Sequence, residues 1–196
     1  MSGRVVILNG ASSSGKTSIA EQFVTQRAEA GELWLLTGLD DYIAKLPAAY
    51  VDVPGWHGPR GDEGMRFAET DNGLEVVLGP IGRQVFGLYR RTVALWASLG
   101  SNVLVDEVVL NEGNVRDWEA ALDGLAVTWV AVQCDAAVND AREAARGDRQ
   151  IGLARAQRDT VHAFTTHAVT LDTTSTPADQ LAAEMVELLS PAGHLD

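Results

Sequence analysis

Arg4-Val5-Val6-Ile7-Leu8-Asn9 runs straight into Gly10-Ala11-Ser12-Ser13-Ser14-Gly15-Lys16-Thr17-Ser18, and this stretch decides the fold. Its first part is a short apolar run closed by glycine, the pattern of a strand covered on both faces. Its second part satisfies G-x-x-x-x-G-K-[ST], and beyond it Ile19, Ala20, Phe23 and Val24 share one face of a helix predicted over 16–28. Strand, glycine-bounded turn and helix in that order gather backbone N–H groups and a helix N-terminus around one concavity, where they replace water around phosphate oxygens. Lys16 is then placed to bridge β- and γ-phosphates, and the Thr17 hydroxyl to be a ligand of Mg²⁺. The candidate nucleotide-binding residues are Gly10, Ala11, Ser12, Ser13, Ser14, Gly15, Lys16, Thr17 and Ser18, with ATP and Mg²⁺ as the implied cofactors.

Outward from this motif, short apolar runs alternate with segments of helical period. Further strands are predicted over 33–37, 102–106, 127–133 and 168–172, and helices over 80–99, 111–122, 136–145, 153–164 and 178–189. The alternation predicts a three-layer α/β fold of the phosphate-loop (P-loop) NTPase kind, a five-stranded parallel sheet with helices on both faces. Residues 47–79 interrupt it with three of the six prolines and the run HGPRGDEG, and read as an insertion. Within them MRFAET and LEVVLG flank Asp71-Asn72-Gly73, a hairpin signal.

The chain of 196 residues is 46% apolar and 21% charged, enough to bury a core, so one domain over 1–196 is expected. A formal charge of −12 argues against duplex nucleic acid or an anionic membrane as partner, since both need a dense basic face. The N-terminal apolar run is too short for a secretion signal and no stretch is long enough to span a bilayer, so a cytoplasmic protein is expected. Cys134, the single cysteine, has no internal disulfide partner and reads as a small core residue.

Two acidic positions and one basic run complete the candidate chemistry. Val103-Leu104-Val105-Asp106-Glu107 is a buried strand ending in a carboxylate, which makes Asp106 the metal-side candidate beside Thr17 and Glu107 a weaker candidate for a catalytic part. The second strand delivers Asp40 and Asp41 to the sheet edge where open α/β folds bind ligands. Asp40 there either takes a proton from an acceptor hydroxyl or caps the helix that follows, and the residues alone do not choose. Arg142, Arg146 and Arg149 recur at i, i+4 and i+7, an arginine face suited to a lid over 142–158 closing on a phosphoryl group.

In order and spacing, ILNGASSSGKTSI, WLLTGLDDYIAKLP, the hairpin with Gly79-Pro80, VLVDEVVL, WVAVQCDAAV, REAARGDR and LDTT resemble the chloramphenicol phosphotransferase family of antibiotic-modifying kinases. The resemblance implies ATP-dependent phosphoryl transfer to a primary hydroxyl of chloramphenicol, on a fold similar to nucleoside monophosphate and shikimate kinases. It makes Asp40 the general base, Arg149 the lid arginine on the phosphates and Arg146 a contact near the adenine. The expected partner is a small-molecule hydroxyl acceptor, with residues 47–79 forming part of its pocket, and a homo-oligomer is left open. Trp56, Phe86, Tyr89, Leu110 and Trp118 could line that pocket or belong to the core. Two rivals remain at this level: a kinase of a nucleoside or other metabolite, and a nucleotide-dependent switch protein.

Overall fold

Alternation along the first strand sets the layers. In the computed structural model, which describes residues 2–53, 55–70, 73–146 and 151–189, β1 (Arg4–Asn9) turns Val5 and Ile7 to one face and Val6 and Leu8 to the other. After it come α1 (Lys16–Glu29), β2 (Trp34–Gly38), α2 (Leu39–Ile43), β3 (Val51–Val53), β4 (Trp56–His57), β5 (Met65–Thr70) and β6 (Gly73–Leu78). The second half contains α3 (Pro80–Ser98), β7 (Asn102–Glu107), α4 (Glu112–Ala121), β8 (Ala126–Gln133), α5 (Ala136–Arg146), α6 (Leu153–Arg158), β9 (Val169–Asp172) and α7 (Ala178–Leu189).

The main sheet has five strands in the order β2-β7-β1-β8-β9, all parallel, as the sequence predicts. Ile19 and Phe23 of α1 pack with Leu181 and Met185 of α7 on the face carrying Val6 and Leu8. Tyr89 and Val93 of α3 and Trp118 of α4 close the other face over Val5 and Ile7. Burial on both sides removes enough apolar surface to outweigh ordering the connections, and it fixes which strand ends carry the loops.

Residues 47–79 hold more than the predicted hairpin. β5 and β6 pair antiparallel from Met65↔Leu78 to Thr70↔Gly73, and β3 and β4 extend them to a four-stranded sheet in the order β4-β3-β5-β6. Leu46, Val51 and Met65 form a small core beneath it. β3 and β4, three and two residues long, are too short for periodicity to register.

The helix expected over 153–164 is also corrected, because α6 stops at Arg158. Past it the backbone tightens into three-residue turns, Thr160 N to Gln157 O at 3.1 Å and Ala163 N to Thr160 O at 3.0 Å, and the Asn9 side chain donates to Val161 O at 2.6 Å. Phe86, Tyr89 and Trp118 belong to the buried interior, whereas Trp56 on β4 is 53% exposed.

Candidate active site

Gly10 and Gly15 shape the loop between β1 and α1. A Cβ on Gly10 would lie 2.3 Å from Val132 O, so only glycine lets the chain leave β1 against β8. Gly15 has φ 96° and Ser13 φ 60°, and these left-handed residues turn successive peptides so that their N–H groups converge. α1 begins at Lys16, and the amides of its first turn precede the first helical bond, Ile19 N to Gly15 O. The result is a ready anion site of main-chain donors.

Lys16 is 6% exposed and bends back over this loop, donating to Gly10 O and Ala11 O at 2.8 Å each. Its ammonium lies 3.9 Å from Asp106 Oδ1. Asp106 is the last residue but one of β7, in register with Leu8 of β1 and Gly38 of β2. The Thr17 hydroxyl donates to Asp106 Oδ2 at 2.6 Å, so the two predicted metal-side groups share one spot. A hydroxyl and a carboxylate form the hard-oxygen donor set that Mg²⁺ takes.

At the end of β2 a helix-start bond falls on Asp41. Asp41 Oδ2 accepts from Gly38 N at 2.9 Å and from the Thr37 hydroxyl at 3.1 Å, so Asp41 closes the turn into α2. Asp40 occupies the exposed second position of α2, on the same sheet edge as Asp106. Gly38 brings the two strands together, since a Cβ there would lie 3.2 Å from both Asp106 Cβ and Asp106 O.

Glu107 points away from the loop, into the second core. It is 5% exposed and accepts from Val108 N at 2.8 Å and from the Trp118 indole at 3.2 Å. Burial raises its pKa to about 6, although the Val108 amide, Arg90 and the indole favour its charged form. Burial, then the Glu107 charge beside it, pushes the Tyr89 phenol well above its ordinary range. His162, beneath the loop, is held below its usual value mainly by burial and further by Lys16.

Two of the arginines reach the loop. Arg142 donates to the Thr173 hydroxyl at 2.8 Å and to Thr173 O at 2.7 Å, bracing the end of β9 against α5, and it lines the cavity beside the loop. Arg146 lines a cavity of about 440 Å³ with Ser13 to Ser18 of the loop, Thr173 and Pro177. Arg149 lies outside the described residues. Cys134 is half-buried and lines a second cavity, of about 300 Å³, so it is not a core residue.

Sequence reasoning missed the buried amides around the loop. Asn9 donates to Val161 O at 2.6 Å and accepts from Val109 N at 2.9 Å, tying the root of the loop to the chain after α6 and to the segment after β7. Glu143, 3% exposed, accepts from Gly152 N at 2.8 Å and Ala154 N at 2.7 Å, joining the end of α5 to the start of α6. A buried Asn or Glu carries no signature in one sequence, and Glu143 shares its buried face of α5 with the equally polar Asn139.

The fold is that of the P-loop kinases. The Mycobacterium tuberculosis APS kinase CysC in complex with AMPPNP and APS superposes with a TM-score of 0.63 at 17% identity, over 97% of this chain and 99% of that one. The Acinetobacter baumannii shikimate kinase in complex with shikimate gives 0.55 at 13% identity, over 95% and 92%. Within this class the chain belongs to the chloramphenicol phosphotransferase-like protein family, whose profile matches residues 3–190. A Mycobacterium tuberculosis H37Rv relative named "Putative O-phosphotransferase Rv2636" is 32% identical over 188 residues, covering 94% of this chain and 81% of that protein.

Proposed function

We propose that this protein transfers the γ-phosphoryl group of ATP to a hydroxyl of a small molecule. The observation that carries the reading is the meeting of three strand ends: the Thr17–Asp106 hydrogen bond at 2.6 Å beside Lys16, with Asp40 one strand over on the same edge. In such a site the main-chain donors of residues 10–18 hold the triphosphate, and Lys16 exchanges its carbonyl partners for β- and γ-oxygens. Thr17 and Asp106 would hold Mg²⁺, which neutralises charge on the bridged phosphates. Asp40 orients the acceptor hydroxyl and takes its proton late, as the new O–P bond forms and the bond to ADP breaks. Arg146 and Pro177 offer a guanidinium plane and an apolar ring to the base, and the family resemblance gives Arg149 the part of the lid arginine on the phosphates.

In this reading residues 47–79 contribute part of the acceptor pocket, on the side of the site that Asp40 serves. A neutral alcohol of chloramphenicol's kind is the acceptor that the family points to, and phosphorylation would inactivate such an antibiotic. The deciding experiment incubates purified protein with ATP, Mg²⁺ and hydroxyl compounds, chloramphenicol first, and seeks one added phosphate by mass spectrometry. ATP hydrolysis with no phosphorylated acceptor across alcohols, sugars and nucleosides would remove the transferase reading.

A further inference from the structure

Ser13 is the one residue other than glycine with a positive φ among the described residues, at 60°. A side chain in that conformation crowds its own backbone, so the loop left to itself would relax there. The peptides on either side are not left to themselves. Ser12 N donates to Gln157 Oε1 at 2.7 Å, and Ser12 O accepts from Asn139 Nδ2 at 2.9 Å. Beyond Ser13, Ser14 O accepts from the Thr173 hydroxyl at 2.7 Å, and Ser14 N reaches Ala11 O at 3.2 Å. Arg142 fixes the rotor of that hydroxyl by donating to it at 2.8 Å.

The clamps are 1% (Asn139), 5% (Gln157) and 4% (Thr173) exposed, so water does not readily replace them. They come from α5, α6 and the end of β9, all far from the motif in sequence. Turning the Ser12 N–H into Gln157 also orients that peptide away from the concavity, leaving the amides after it to converge on an anion.

We propose that Gln157, Asn139 and Thr173 are positioning residues that hold the phosphate loop in its strained, anion-binding shape before nucleotide arrives. The inference rests on the nucleotide reading above and adds to it: part of the affinity for a triphosphate is stored by three side chains outside the motif. Preorganisation lowers the ordering cost at binding, so loss of a clamp weakens affinity as well as stability.

The test is calorimetric titration of the full chain with ATP and Mg²⁺. Gln157→Met, of similar size but without an acceptor, should weaken ATP binding by about tenfold or more, the usual consequence of leaving a buried donor unpaired. Gln157→Glu keeps an acceptor and should recover most of the loss. Thr173→Val should weaken binding in the same direction, and it stands as an independent clamp variant if Gln157→Met does not fold. Because glycine adopts left-handed φ without crowding, the loss caused by each clamp variant should shrink in a Ser13→Gly background. In nucleotide-free protein, amide exchange across residues 11–15 should quicken in Gln157→Met. Clamp variants that melt earlier but bind ATP like the wild type, or lose equal affinity in both Ser13 backgrounds, would overturn the proposal. Wild-type protein that binds no ATP would instead overturn the nucleotide reading itself.

Discussion

Asp41 Oδ2 accepts the Gly38 amide at 2.9 Å, so the second of two adjacent aspartates closes the turn into α2. The division of labour between neighbours is testable. Asp40→Asn should leave ATP affinity nearly intact and lower kcat by about 10²-fold or more, the usual size of a general-base effect. Asp41→Asn should lower unfolding free energy by about 1 kcal/mol, the ordinary value of a helix-start bond, with a smaller change in kcat. Steady-state kinetics beside chemical denaturation separates the two. Reversed effects would make Asp41 the base.

Thr17 and Asp106 share one hydrogen bond where a hard cation would be ligated. Asp106→Asn keeps shape and removes charge, so it should weaken ATP binding in the presence of Mg²⁺ by about tenfold or more while changing Mg²⁺-free binding little. Titration with and without EDTA checks this. An equal loss under both conditions would place the metal elsewhere.

Lys16 sits 3.9 Å from Asp106 Oδ1 and caps two loop carbonyls. Lys16→Ala should abolish phosphoryl transfer, because it removes the point charge placed to bridge the β- and γ-oxygens. Retained full activity in a coupled assay would take the loop out of the chemistry.

Glu107 gives a pH dependence with a definite sign. Its folded pKa of about 6 lies above the ordinary 4.5, so the folded state holds this proton to higher pH than the unfolded chain. Its contribution is therefore most favourable below about 4.5 and declines as pH rises through about 6. Measured in EDTA, the unfolding free energy of wild type relative to Glu107→Gln should fall across that window by about 1–2 kcal/mol. A difference that grows with pH would reverse the assignment.

Asn9 joins three segments through two buried bonds, to Val161 O and from Val109 N. Asn9→Ala leaves a buried carbonyl and a buried amide without partners, so it should cost about 2 kcal/mol or more in urea denaturation. A change of under about 0.5 kcal/mol would mean that water takes over both bonds.

The residues between Arg4 and Ser18 determined the phosphate loop, because glycine spacing and hydrophobic period are local properties that survive in one dimension. The five parallel strands were legible for the same reason: short apolar runs such as Val103-Leu104-Val105, alternating with segments of helical period, fit a sheet covered on both faces. Asp106 was legible as a strand-terminal carboxylate, although its bond to Thr17 joins residues that only the sheet order brings together. Whether Asp40 or Asp41 closes the turn was not chosen by residue type, since both carry the same group one residue apart, and the local geometry at the start of α2 decided it. The small sheet of residues 51–78 stayed hidden because its first strands are too short to show a period. The clamps on Ser12 and Ser14 were hidden for a deeper reason: Asn139, Gln157 and Thr173 acquire their meaning from partners more than a hundred residues away, and that pairing exists only once the chain has folded.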